Sequence, residues 1–187
     1  MTRLILVCHG QTDWERANRI QGEVDVPLNV QGRRQAKALA GQLRKMKADA
    51  VYSSALSRSY DTAVEIAKPH RLKVKSLNLL NEVNQGLWQG MLVVDAKKKH
   101  RKLYSKWESN PLNSKPPKGE GIKEAYDRVI TEVEKLLARH KDETICIVSH
   151  KLINTLIKYH FLGMDLNKIW ELSPMPGTWE LLELESG

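Results

Sequence analysis

Two stretches decide the fold: "LILVCHG", Leu4 to Gly10, and "ICIVSHK", Ile145 to Lys151. Each is an apolar run that delivers a histidine two residues after a valine, His9 in the first and His150 in the second. A short continuous apolar run closed by a turn is the pattern of a strand buried on both faces, as in a parallel sheet covered by helices. In such sheets ligands bind beyond the carboxyl ends of the strands, so both imidazoles are expected where a site would be built.

The segments between these runs fit the same plan. Ala36, Leu39, Ala40, Leu43 and Met46 recur at helical spacing after Gly32, and Ala50 to Tyr52 reads as a second strand ending in Ser53-Ser54. Leu56, Tyr60, Val64 and Ala67 predict another core-facing helix closed by Pro69, and Ala125, Val129, Val133, Leu136 and Leu137 a long one. A further helix is expected from about Leu152, and the alternating tail "GTWELLELE" suits an edge strand. Residues 91–118 show irregular patterning and are expected to form an insertion or lid, with helix in the basic segment "AKKKHRKLYSKW". Strands alternating with helices predict a three-layer α/β/α sandwich with a mostly parallel central sheet, in one domain over residues 1–187.

Composition narrows the class further. At 187 residues the chain can bury one adequate core, and 41% apolar with 28% charged residues is ordinary for a globular protein. No apolar run approaches the ~20 residues needed to cross a bilayer, so a cytoplasmic protein without a membrane partner is expected. The two cysteines, Cys8 and Cys146, lie in or at the end of apolar runs and are read as reduced. A net charge of +8 favours anionic partners. The run "KKKHRK", Lys97 to Lys102, lacks the aromatic interleaving of a nucleic-acid site and reads as a solvated helix face or a positive rim.

"VYSSALSR" carries Ser53, Ser54 and Arg58 off a strand end into a helix start, where backbone N–H groups attract anions and an arginine adds a planar fork for phosphate oxygens. Two histidines, an arginine and a carboxyl such as Glu82 suit phosphoryl transfer. His9 would be the nucleophile, Arg58 and His150 the clamp, and Glu82 the acid meeting the leaving oxygen.

These residues resemble the histidine phosphatase superfamily, which includes the cofactor-dependent phosphoglycerate mutases and many small phosphatases. The resemblance runs from Leu4 to about Leu156 through five motifs in order: "HGQT" from His9, "RIQGEVDVPLNVQGRRQA" from Arg19, "SSALSRSYDTA" from Ser53, "LNEVNQGLWQG" from Leu80 and "VSH" from Val148. It implies a phosphoglycerate mutase-like fold and a metal-independent phosphatase acting on a small phosphorylated metabolite, with no organic cofactor and with residual mutase activity compatible. It also implies that His9 becomes phosphohistidine, that Arg58 and His150 hold the phosphoryl group, and that Glu82 is proton donor and then base. Gly10, Thr12, Gln21 and Gly22 fall in the segments that would cradle substrate.

The departures from the family pattern cluster at the same place. Cys8 stands where the family has its first arginine, Glu15 where it has asparagine, and Lys151 where it has glycine. Removing one preorganised charge-stabilising donor lowers rate by about 10²-fold or more. Lys151 could restore a cation to the phosphate-binding set. A second reading follows from these departures: a pseudoenzyme that binds phosphate ligands with weakened or lost catalysis.

Overall fold

The structure, a computed structural model, describes residues 1–171 and 173–184. Its sheet has five strands: β1 (Thr2–Cys8), β2 (Ala50–Ser54), β3 (Val74–Leu77), β4 (Thr144–Ser149) and β5 (Trp179–Leu184). Their order is β3-β2-β4-β1-β5, parallel throughout except for β5, which runs antiparallel to β1. The helices are α1 (Asp13–Arg16), α2 (Val30–Leu43), α3 (Ser57–Ala67), α4 (Val93–Lys99), α5 (Arg101–Ser109), α6 (Ile122–Arg139) and α7 (Lys151–Phe161).

Alternation along each central strand builds the three layers, because successive side chains leave a strand on opposite faces. Leu4, Leu6, Ile145 and Ile147 pack with the apolar stripes of α6 and α7, while Ile5, Val7, Val51, Cys146 and Val148 pack with α2 and α3. Strands apolar on both faces can lie only inside such a sandwich. Asn29 starts α2 by accepting the Gly32 N–H at 2.8 Å, an N-cap that the segment "LNVQG" carries in its sequence.

One expectation needs correction, one strand was not anticipated, and the helix expected in the basic segment is present. The inward face of α3 is not the Tyr60 and Val64 stripe: Tyr60 is 39% exposed, and Arg58, Ser59, Thr62, Ala63 and Ile66 are buried. The helix turns its polar side inward because it packs against the strand ends, where buried polar groups find partners. Strand β3 comes from "VKSL", too short and too exposed to show a strand pattern. Residues 91–118 contain α4 and α5 and a 3-10 turn at Pro111–Asn113, so the segment is more regular than its patterning. It is held by an aromatic cluster in which Trp88 meets Tyr104 at 4.9 Å and Trp107 at 6.2 Å between ring centroids. The tail forms the expected edge strand up to Leu184, its last predicted residue, Glu185, lying outside the described residues.

Candidate active site

The pairing register of β1 and β4 brings the histidines together. Cys8 stands opposite Ser149, so the residue after each strand end is a histidine, and the His9 N–H donates to Ser149 O at 3.1 Å. The rings lie 5.0 Å apart at 64°. Both are buried, His9 at 2% and His150 at 0% exposure.

Hydrogen bonding fixes which nitrogen of His9 is reactive. Nδ1 lies 2.7 Å from Gly10 O, and a carbonyl can only accept, so Nδ1 carries the proton and Nε2 presents its lone pair. Arg58 Nε–H donates to that lone pair at 3.3 Å. Burial, and then the Arg58 charge, press the His9 pKa down to about 3 against the opposing pull of the Gly10 carbonyl. At neutral pH this imidazole is unprotonated at Nε2. Arg58 is itself buried and aimed by Val24 O at 2.8 Å and Gly22 O at 2.7 Å, which leaves two of its five N–H groups for a ligand.

His150 is wired differently. The Ala55 N–H donates to Asn81 Oδ1 at 3.0 Å, which fixes that atom as the oxygen, and the Ser54 hydroxyl donates to the same oxygen at 2.9 Å. Ser54 Oγ also accepts the Leu56 N–H at 3.1 Å, so its 2.8 Å bond to His150 is donated by Nε2–H. The neutral ring therefore has a bare Nδ1, buried and without a partner among the described residues. Burial lowers the pKa of this ring well below that of a free imidazole, with Arg58 and His9 adding to the effect.

Glu82 approaches from the loop after β3. Its carboxyl accepts the Val83 N–H at 2.9 Å and the Leu152 N–H at 3.3 Å, and burial raises its pKa against those bonds and the charges of Arg58 and Arg128. A carboxyl held protonated above the ordinary range is suited to donate a proton. Arg128 of α6 anchors the loop, donating to Leu79 O at 2.6 Å, Asn81 O at 2.9 Å and Glu82 O at 3.3 Å while paired with Glu120. Nothing local in the sequence singled out Arg128, which sits on the polar side of an ordinary amphipathic helix.

The remaining candidates divide into a cleft wall and its supports. His9, Glu15, Gln21, Gly22, Arg58, Glu82 and Lys151 line a cleft of about 550 Å³, together with Gln11, Arg19 and Trp170. Thr12 is fully buried and supports this wall: its hydroxyl donates to Gln21 Oε1 at 2.7 Å, and it forms a capping box with Glu15 at the start of α1. Gly10 sits behind His9, its N–H donating to Thr62 Oγ1 at 3.1 Å, where a Cβ would come within 2.3 Å of Gly32 O. Cys8 faces a separate cavity of about 210 Å³ beside Leu6, Asn154 and Lys158, and burial holds its thiol far above the thiolate range. Lys151 is exposed at the first turn of α7, on the cleft rim. None of Lys97 to Lys102 lines the cleft, and Lys97 pairs with Glu108 at 2.7 Å. No three His, Cys, Asp or Glu side chains among the described residues are placed to share a metal ion.

A buried histidine pair and a fixed arginine thus meet at the carboxyl end of a doubly covered, mostly parallel sheet. The chain belongs to the histidine phosphatase superfamily (branch 1), whose model matches residues 4–187. It is 34% identical over 185 residues to phosphoserine phosphatase 1 of Hydrogenobacter thermophilus, covering 99% of this chain and 88% of that protein. Among solved structures, YhfR of Bacillus stearothermophilus superposes with a TM-score of 0.93 at 26% identity, over 100% of this chain and 93% of that one. A mycobacterial glucosyl-3-phosphoglycerate phosphatase bound to VO3 superposes with a TM-score of 0.89 at 28% identity, over 97% and 90%. The phosphoglycerate mutase-like α/β sandwich anticipated from the sequence is the fold observed.

Proposed function

We propose that this protein is a metal-independent phosphatase that hydrolyses a small phosphate monoester through a phosphohistidine on His9. The observation that carries the reading is the state of His9: neutral, with Nδ1–H tied to Gly10 O and an unprotonated Nε2 on the cleft wall whose lone pair takes the Arg58 Nε–H until a phosphoryl group displaces it. The Nε2 lone pair attacks phosphorus as the ester P–O bond breaks, and Glu82 gives its proton to the leaving oxygen. The Gly10 carbonyl stabilises the positive charge that the ring acquires. Glu82, now a carboxylate, takes a proton from water as the water oxygen attacks phosphorus and the P–N bond breaks, which returns both residues to their starting state. Arg58 holds the equatorial oxygens throughout.

Similarity to phosphoserine phosphatase 1 and to the glucosyl-3-phosphoglycerate phosphatase makes phosphoserine and phosphoglycerate esters the first substrates to test. The decisive assay is turnover of p-nitrophenyl phosphate and of those esters in the presence of chelator, with labelled phosphate trapped on the protein by an alkaline detergent quench, which preserves the P–N bond. His9→Ala should abolish both trapping and turnover. Glu82→Gln should lower turnover of alkyl esters by about 10²-fold and of the nitrophenyl ester far less, because a good leaving group needs no acid. Unchanged turnover in His9→Ala would refute the mechanism. Tight binding of these esters without hydrolysis of any would instead favour the pseudoenzyme reading, whose support is the neutral thiol of Cys8 in place of an arginine.

A further inference from the structure

Hydrogen-bond acceptors stand beside His9 as well as cations. Glu15 Oε1 stands 3.9 Å from His9 Nε2, so a phosphoryl group at that nitrogen brings an oxygen into hydrogen-bond range of the carboxyl. The other carboxyl oxygen is committed to the Thr12 N–H at 2.9 Å, which fixes the direction in which Oε1 points. His150 adds a second bare acceptor at Nδ1, and Cys8 adds no charge. An acceptor facing an anion repels a bare oxygen but binds one that carries hydrogen.

We propose that Glu15 makes this site select a phosphoryl group that still carries one proton, admitting singly protonated phosphate and its monoesters and rejecting sulfate and other obligate dianions. The inference rests on the phosphoryl-site reading above but requires no turnover. One proton lies between the Glu15 carboxylate and the phosphoryl oxygen in the complex, and the ligand supplies it. The second ionisation of a phosphate monoester has a pKa of about 6, so the protonated form is available near neutrality, whereas sulfate has no proton to offer.

The charged groups around Glu15 act in both directions. Arg58 from α3, Lys151 from α7 and Arg19 from the loop after α1 favour dianions, while Glu82 opposes them, and His9 and His150 are neutral. The closest of these cations, Arg58, already spends three N–H groups on His9 and two backbone carbonyls.

The experiment is calorimetric binding of inorganic phosphate and of sulfate, at several pH values from about 5.5 to 8.5, to the wild type and to Glu15→Gln. The glutamine keeps an oxygen for the Thr12 N–H and turns an N–H toward the anion. Wild type should bind phosphate at least tenfold more tightly than sulfate at pH 6 and at pH 8, because inorganic phosphate still carries a hydrogen at both and should bind at pH 8 without taking up a further proton. In Glu15→Gln sulfate affinity should rise about tenfold and the phosphate-to-sulfate ratio should fall toward one. Glu15→Ser provides the same comparison if the glutamine variant does not fold, with the same direction expected. The inference is overturned if wild type binds sulfate as well as phosphate, if it binds neither, or if the ratio is unchanged in the variants. Turnover of p-nitrophenyl phosphate tests the phosphatase reading separately: anion selectivity without turnover of any ester would keep this inference and remove that reading.

Discussion

Replacing His9 with glutamine should make the protein less sensitive to acid, because a buried neutral imidazole is a liability as pH falls. In the unfolded chain His9 protonates near its ordinary value of 6.5, whereas in the fold it resists until about 3. Between these values the unfolded state binds the extra proton, so stability declines by ~1.4 kcal/mol per pH unit as pH drops and is undiminished above 6.5. From pH 6.5 to pH 4 that loss is ~3 kcal/mol from this residue alone, a large part of the margin of a typical domain. Other groups move the total: His150, also depressed, adds to the loss, while Glu15 and Glu82, whose pKa values are raised, return stability as they protonate in the fold before they would in the unfolded chain. The difference between wild type and His9→Gln isolates the His9 share. Urea unfolding at pH 7 and pH 4 should show wild type losing ~3 kcal/mol more than the variant. Equal losses, or a His9 ring that titrates near 6.5 by NMR, would show that the imidazole is not held neutral by burial and would remove the premise of a preformed nucleophile.

Other expectations concern the supports of the site. Gly10→Ala places a Cβ 2.3 Å from Gly32 O, so it should lower stability by about 1–3 kcal/mol in a thermal melt and displace His9 enough to reduce turnover. Arg128→Ala removes three bonds to the backbone at Leu79, Asn81 and Glu82, and should lower kcat for alkyl phosphates far more than for p-nitrophenyl phosphate, since only the former need a well-placed acid. If Lys151 supplies the charge that Cys8 does not, Lys151→Ala should reduce turnover about tenfold, ~1.4 kcal/mol of barrier, and Cys8→Arg should make the lysine dispensable. A silent Lys151→Ala beside a strongly activated Cys8→Arg would make the lysine a bystander.

What could be read in advance divides along a physical line. The parallel core was legible because strands buried on both faces admit few residue types, and the strand-end histidines followed from the apolar runs that precede them. Arg58 was legible because its segment runs from strand to helix without a break. The tautomers were not, since they depend on Gly10 O, Asn81 and Ser54, whose positions relative to the rings exist only after the chain has closed. Arg128 was hidden for the same reason: it reaches across 46 residues to the Glu82 carbonyl, and no local pattern records that. The inward face of α3 was misjudged because apolar periodicity assumes that a helix buries oil, and this one buries the polar floor of a site.

Strand β4 lies between β1 and β2, which share no pairing of their own. The chain therefore emerges from the ribosome with His9 early and Arg58 soon after, yet the two strands that carry them are bridged only when residues 144–149 have been made. A parallel sheet closed by its central strand over such sequence distances is a late event in folding. The strand ends that carry the two histidines are therefore set side by side only once β4 has been made and paired. The same topology makes a ligand a reporter on the whole molecule: an anion bound at His9 and Arg58, as proposed, would join the end of β1 to the helix that follows β2, two strands tied to each other through β4, so it should slow global unfolding rather than stiffen one loop.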